Sequence, residues 1–356
     1  MSTTPIALAA TGKTEDSVPA LRSPMRDIRV AVIIVTYRSA KLTIETLRAL
    51  ACERSDSEQS ISAVVVDNAS GDFPVIAEAV DRLNWQDWVT LVAAPKNGGF
   101  AYGNNLGVER ACRSGDPSYF YLLNPDTQVR PGAIRALVRF LESHAEVGIV
   151  GSGVDDLNGQ DWPIAFRFPS LTGELIQGIN LGLITNLLGR WATVRYMPRR
   201  NEVVDWVSGA SMMIRSGVYR AIGGLDESYF LFFEETDFCR RARLAGYSTW
   251  YVPDGRVMHI GGQSTALTEN STERRPAYWF ESRRRYFAVA FGIPCAMVID
   301  LVAIAAHAFG VAKRSIRRQQ HSDVPLFVRD LMRHSILWKR NRNIQPFRSR
   351  IGGYKD

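Results

Sequence analysis

Four short apolar runs, each closed by small polar and acidic residues, restrict the fold of this chain more than any other feature. Val30–Val35 (VAVIIV) is unbroken and β-branched, as a strand covered on both faces is. Ala63–Val66 stops at Asp67-Asn68-Ala69-Ser70-Gly71, Val89–Ala93 at Pro95-Lys96-Asn97-Gly98-Gly99, and Tyr119–Leu123 at Asn124-Pro125-Asp126-Thr127. Helical stretches separate them: one through Leu50, one to about Cys112, and one opened by Pro131 and Gly132 that runs to about Ser143. Gly148–Gly151 then begins a further strand. This alternation predicts βαβ units and an α/β fold with a mostly parallel sheet flanked by helices. Ligands of such sheets sit beyond the carboxyl ends of the strands. Those ends carry Thr36, Asp67, Asn97 and Asp126.

The second half reads less regularly. Residues 152–200 hold Trp162 and an apolar helix-like run, Leu171 to Leu188, suited to lining an acceptor groove. A strand is expected at Val203–Val207, then the small-residue turn Ser208-Gly209-Ala210 and a helix over Ser216–Ile222 with Ser216 as its N-cap. Gly223-Gly224-Leu225-Asp226-Glu227 breaks the chain before an aromatic and acidic stretch, Tyr229 to Asp237. The helix that follows ends at Gly246, where glycine suits the position after the cap. A strand, Ser248–Val252, precedes Met258-His259-Ile260-Gly261-Gly262.

Composition narrows the class. With 356 residues, 46% hydrophobic and 22% charged, the chain has material for one large domain with a sizeable core, plus an appendage. Its four cysteines, Cys52, Cys112, Cys239 and Cys295, lack CxxC spacing, which argues against zinc and a disulfide framework and for a reducing compartment. Residues 1–27 have no apolar core of signal-peptide length and read as a disordered leader. The net charge of +7 is uneven: from Arg283 onward there are 15 Lys and Arg against 4 Asp and Glu, so the body is mildly acidic. Within that tail, Phe287–Ala312 is long enough to span a bilayer, yet it contains Pro294, Asp300 and His307. The expectation is a membrane-associated helix or hairpin at the cytoplasmic face, with Arg283-Arg284-Arg285 and Lys313-Arg314 on anionic headgroups. A true span and a soluble helical cap stand as alternatives.

Taken in order, VTYRSA, VVDNASGD, NGGFAYGNNLG, LLNPDTQV, SGASMMIR, GGLDESYFLFFEETDFCRR and MHIGGQS resemble glycosyltransferase family 2, and within it the rhamnosyltransferase-like branch. The likeness covers residues 28–265, leaving 266–356 as a basic, partly apolar helical extension. It implies a GT-A fold, a nucleotide-diphosphate sugar of the dTDP or UDP type, a divalent cation (Mg²⁺ or Mn²⁺) and inversion at the anomeric carbon.

Carried residue by residue, the resemblance makes Asp126 the cation ligand, because a diphosphate leaving group needs its charge neutralised. The family's usual Asp-x-Asp reads Asn124-Pro125-Asp126 here, so Asn124 offers an amide oxygen or reaches the ribose. An acid ahead of a helix would equally complement its dipole. His259 resembles the family's downstream ligand, more natural for Mn²⁺ than for Mg²⁺, with a structural histidine as the alternative. Asp67 resembles the carboxylate that accepts the imide N–H of uracil or thymine, framed by Thr36, Tyr37 and Asn68; the same residues also make a good turn. Asn97 and Gly98 introduce a helix whose first amides can face phosphate or ribose. Asn104 and Asn105 are unfavourable in a helix interior, which points to a site, with Asn105 at the donor, or else to an exposed face. The family's Glu-Asp-x-Asp becomes Glu234-Glu235-Thr236-Asp237, with Glu235 at the position of the general base and Glu234 as the alternative. Arg240 and Arg241 are candidates to pair with these acids or with diphosphate, and Asp226 and Gly209 fall on the acceptor side.

The expected function is transfer of a sugar, rhamnose from dTDP-rhamnose by branch resemblance, to a cell-surface glycan or lipid-linked acceptor in the cytoplasm, at the inner face of the cell membrane. UDP-hexoses and an inactive nucleotide-sugar-binding module are the alternatives. A dinucleotide-binding sheet is excluded because Thr36-Tyr37-Arg38-Ser39-Ala40 has no glycine. A nucleotidyltransferase lacks its glycine-rich first loop, and the acidic body offers no platform for nucleic acid.

Overall fold

The computed structural model describes residues 28–179, 192–193, 197–260, 274–316, 324–339, 344 and 347. The expected leader, the far half of the Leu171–Leu188 run, Gly261 to Ser264 and much of the basic tail lie outside the described residues. The elements in chain order are β1 (Arg29–Thr36), α1 (Ala40–Ser55), β2 (Ser60–Asp67), α2 (Phe73–Arg82), β3 (Val89–Ala93), α3 (Gly99–Ser114) and β4 (Tyr119–Leu123). Next come β5 (Thr127–Val129), α4 (Ala133–Ser143), β6 (Val147–Asp155), β7 (Ala165–Phe166), α5 (Leu171–Ile179), β8 (Glu202–Val204) and β9 (Trp206–Val207). β10 (Ser211–Arg215), α6 (Ser216–Ile222), α7 (Glu234–Leu244) and β11 (Ser248–His259) complete the body. The C-terminal helices are α8 (Ala277–Phe291), α9 (Ile293–Ile316) and α10 (Phe327–His334).

The main sheet runs β3-β2-β1-β4-β10-β6-β11-β5, with β8 also on β11. β1, β2, β3 and β4 are mutually parallel; β10 is antiparallel to both β4 and β6, and β11 is parallel to β6. Six strands therefore share one direction. Because β10 runs the other way, its start lies beside the end of β4, Ser211 opposite Leu123. The chain enters β10 at the rim where β1, β2, β4, β6 and β11 leave the sheet. A small two-stranded sheet pairs β7 with β9.

The centre of β1, Val30–Ile34, is buried in one continuous core with β2, β4, β6 and β10. Helix α3 lies close on it because two glycines one turn apart face the strand. A Cβ at Gly103 would meet Val35 at 2.6 Å, and one at Gly107 would meet Ile33 at 2.5 Å. Glu53 of α1 accepts the Gly132 and Ile134 amides at 2.6 and 2.9 Å, satisfying the first orphan donors of α4.

Several expectations need correction. The strand expected at Val203–Val207 is broken at Asp205, so β8 joins the main sheet and β9 the small one. Ser216 does not cap α6; it is the helix's first residue, and Arg215, extended at φ −60° and ψ 132°, takes the cap position. α2, β5 and β10 are additional elements. The basic triplet ahead of the apolar tail turns inward instead of toward headgroups. Arg283 pairs with Asp300 at 2.5 Å and Glu174 at 2.7 Å, Arg284 donates to the His334 carbonyl, and Arg285 pairs with Asp226 at 2.6 Å. A buried guanidinium needs a carboxylate or carbonyl partner, and each finds one inside the fold.

Candidate active site

The β5–β11 ladder brings the two expected cation ligands together. Thr127 stands opposite His259 in an antiparallel register, and the Ile260 amide donates to the Asp126 carbonyl at 3.0 Å. His259 Nε2 lies 3.1 Å from Asp126 Oδ1, with Asp126 only 1% exposed. Trp162 meets the imidazole edge-on at 6.0 Å, and His259 Nδ1 is buried without a hydrogen-bond partner among the described residues. An octahedral ion with ligands at about 2.1 Å holds adjacent donor atoms about 3 Å apart, so a carboxylate oxygen and an imidazole nitrogen at this spacing fit one divalent cation. No third His, Cys, Asp or Glu joins them among the described residues. The Asn124 side chain makes no hydrogen bond with the described residues, and its backbone amide donates to the Ala210 carbonyl at 3.0 Å.

A second acidic pair opens α7. Glu234 is 2% exposed, and one carboxylate oxygen of Glu234 and one of Glu235 are buried without a partner among the described residues. The third acid, Asp237, is tied to Arg241 at 2.7 Å; Arg241 also holds the Ile222 and Gly224 carbonyls, while Arg240 donates to Ala290. Burial pushes the Glu234 carboxyl well above the usual range, and the Glu235 charge beside it adds to the shift. Burial also raises Glu235, to about 7, with backbone amides that include Gly209 pulling it partly back. Phe232 and Phe233, immediately before the pair, adopt left-handed φ values of 71° and 70°. Bulky residues take this region only when their surroundings enforce it, at about 1–3 kcal/mol each. Here those surroundings are the rings of Tyr278, Trp279 and Tyr286 on α8.

The turn Ser208-Gly209-Ala210 connects the two pairs. Its Ala210 carbonyl takes the Asn124 amide, and Gly209 faces Glu235. Asp126 with His259 and Glu234 with Glu235 thus flank one turn at one rim.

Many polar atoms of the loops expected to hold the donor are already engaged. Thr36 is buried, its hydroxyl bonded to Asp72, Ser39 and Thr43 at 3.0 Å each. Tyr37 beside it is exposed, with the Arg38 guanidinium over its ring. Asp67 Oδ1 accepts from the Ser70 amide and hydroxyl, and among the described residues Oδ2 accepts only the Phe73 amide at 3.1 Å, which leaves acceptor capacity there. Asn68 clasps the third loop, donating to Asn97 and the Gly99 carbonyl and accepting the Gly98 amide. The Asn105 amide is bonded to the Leu225 backbone, Glu227 and Tyr219, so it fixes the loop on both sides of Asp226. Asp226 itself is buried against Arg285 of α8.

Gly99 joins the donor loop to the acid loop. It sits at φ +87°, and a Cβ there would fall 1.8 Å from the Phe230 carbonyl oxygen, which receives the Phe100 amide. Gly99→Ala is expected to cost at least about 2 kcal/mol, from the left-handed backbone and the displaced carbonyl. Chemical denaturation checks this, and an unchanged midpoint would mean the loops are not coupled.

Sequence reading missed Asp72, which accepts the Ser39 amide and the Thr36 hydroxyl and so ties the first loop to the second. It also missed Arg285, whose carboxylate partner is 59 residues away in sequence. The DNASGD pattern did contain the first, at the N-cap position of a helix opened by Phe73 and Pro74, where its side chain makes no cap bond.

Comparison with known proteins gives consistent findings. The profile of the family described as glycosyltransferase like family 2 matches residues 27–288. An N-acetylglucosaminyl-diphospho-decaprenol L-rhamnosyltransferase of Mycobacterium tuberculosis is 29% identical over 254 residues, covering 68% of this chain and 78% of its own. The dTDP-rhamnosyl transferase RfbF of Shigella flexneri is 24% identical over 240 residues, 67% of this chain and 71% of its own. Among solved structures, GalNAc-T7 with UDP, GalNAc and Mn²⁺ superposes with a TM-score of 0.55 at 13% identity, over 86% of this chain and 57% of that one.

Proposed function

Because the chain belongs to the glycosyltransferase-like family 2, we propose that it moves rhamnose from dTDP-rhamnose, with inversion, onto a hydroxyl of a lipid-linked glycan at the cytoplasmic face of the membrane. It is a glycosyltransferase of the GT-A fold with rhamnosyltransferase relatives. The donor reading draws on the dTDP-rhamnosyl relative and the acceptor reading on the diphospho-decaprenol relative. Residues 28–265 are taken as the catalytic unit.

The observation that carries the reading is the pairing at one rim: an Asp126–His259 couple across a single turn from a carboxylate raised to about 7. Asp126 and His259 would hold the divalent cation, and the imidazole favours Mn²⁺. When bound, the ion neutralises charge that develops on the departing diphosphate. Tyr37 offers an exposed ring to the base, and Asp67 Oδ2 keeps an acceptor for the imide N–H of thymine. Glu235 takes the proton from the acceptor hydroxyl. With a pKa near 7 it is a stronger base than an ordinary carboxylate and still ionised in useful fraction at neutral pH. Burial keeps that value high, and the Glu235 charge in turn holds the neighbouring Glu234 carboxyl well above the usual range.

A thermal-shift screen of nucleotide sugars with Mn²⁺ or Mg²⁺ tests the donor. A ligand at one hundred times its Kd stabilises the fold by about 2.7 kcal/mol. The expected order places dTDP-rhamnose with Mn²⁺ first. A larger shift with a UDP-hexose would replace the donor, and no shift with any nucleotide sugar would remove the proposed enzyme.

A further inference from the structure

We infer that the outward face of α9 is a docking surface for an anionic phospholipid bilayer, on which the helix lies flat instead of crossing. The inference deepens the reading above, since a lipid-linked acceptor must be met at a membrane.

By length and hydropathy alone, Ile293–Ile316 qualifies as a span: 24 residues with a mean hydropathy of 2.0 over its best window. Its packing points the other way. Ala296, Ile299, Asp300, Ala303, Ala306 and Gly310 form one buried face, set against α5, α8 and α10. Asp300 is 2% exposed and fully engaged, one oxygen taking the Arg283 guanidinium and the other the Ile336 amide at 2.7 Å. Drawing α9 into lipid would separate these charges, and stranding a buried charge is strongly unfavourable.

The opposite face is exposed and apolar. Ile293, Met297, Val298, Leu301 and Phe309 recur at helical spacing, Leu301 60% exposed. The run's Asp and His are turned elsewhere: Asp300 is buried, and the His307 ring lies 4.7 Å from Phe327. Trp338, 76% exposed, follows Ile336 beside this helix and precedes exposed Lys339, an aromatic and basic combination suited to the headgroup level. Residues 313–356 carry 12 Lys and Arg against 3 Asp and Glu. Such a charge complements anionic lipid and repels a second copy of the chain brought face to face, so the occupant is the bilayer.

The position of this face gives it a use. α8 begins by stacking Tyr278 on Phe230 and Phe232 and ends at Gly292, where α9 starts. One 15-residue helix, about 22 Å long, therefore separates the membrane surface from the acid loop. Ser282 and Arg285 of α8 fix that loop through the Leu231 carbonyl and Asp226.

The test is flotation of the full chain with vesicles of equal parts phosphatidylglycerol and phosphatidylcholine, compared with pure phosphatidylcholine. The wild-type chain is expected to float with the anionic vesicles, less so at high salt, and to be released by alkaline carbonate. Val298→Glu, Leu301→Glu and Phe309→Glu together should weaken vesicle binding about tenfold or more, with the dTDP- and Mn²⁺-dependent thermal shift retained as a folding control. Absence of flotation, equal flotation of the triple variant, or resistance to carbonate would overturn the inference. So would a dimer that the variant splits without any vesicle binding. If the thermal shift fails in both proteins while flotation still separates them, the donor reading falls and the docking surface stands.

Discussion

Glu235→Gln is expected to lower kcat by about 10²–10⁴-fold, the usual contribution of a positioned base, while leaving the donor-induced thermal shift intact. Gln keeps the shape and loses the ability to take a proton. The wild-type log kcat/KM should climb with unit slope below about pH 7 and flatten above it, because Glu235 acts only when ionised and burial holds its pKa near that value. The slope should vanish in the variant. Glu234→Gln replaces a carboxyl that burial and the Glu235 charge hold well above the usual range, so the profile should stay near pH 7, where burial sets the Glu235 value. Stability carries the same signature. Both carboxyls are raised above their unfolded values, so their contribution is fully present below the ordinary carboxylate range and is lost as pH rises through the folded pKa. The free enzyme should therefore melt at a lower temperature at pH 8 than at pH 6, and either Gln variant should lose less over that interval. Full transfer by purified Glu235→Gln would end its assignment as the base.

Asp126→Ala is expected to reduce transfer by about 10³-fold, the equivalent of several kcal/mol of charge stabilisation on the leaving diphosphate. A second readout separates cation binding from a merely structural role: Mn²⁺ should no longer add to the thermal shift that the nucleotide produces. The buried Asp126 side chain meets His259 just ahead of a three-residue strand whose backbone pairing does not depend on it, so the substitution removes one member of the pair and leaves the sheet intact. Mn²⁺-dependent stabilisation that survived in Asp126→Ala would place the ion elsewhere.

Much of this was legible in the sequence where the signal was a dense apolar run. β3 and β4 begin and end at the expected residues, Val89–Ala93 and Tyr119–Leu123, because a fully buried strand bounded by turn residues leaves little freedom. β10 escaped because Met212-Met213-Ile214 is short and sits between a small-residue turn and a helix. β5, three residues long, exists only through its partner on β11. The loops that meet at the rim were readable as a set, whereas the engagement of their polar atoms was not. Thr36 looked open to a nucleotide and is closed into a hydroxyl network, and Asn105 is held by a loop 120 residues away. Arg283 and Arg285 looked like a membrane flank because sequence cannot show that carboxylates 109 and 59 residues distant lie beside them.

β11 follows β6 in register from Thr249 opposite Ile149 to Val252 opposite Ser152, then resumes at Val257 opposite Val154, so five steps along one strand match two along the other. That slack ends two residues before His259. Side chains alternate faces along a strand, so losing or gaining one residue among 253–256 would turn the imidazole to the far side and keep every neighbouring ladder bond available. Loop length at this point is thus a lever separate from residue identity: a one-residue change there would part the imidazole from Asp126 without altering either side chain, and would turn buried Val257 outward with it.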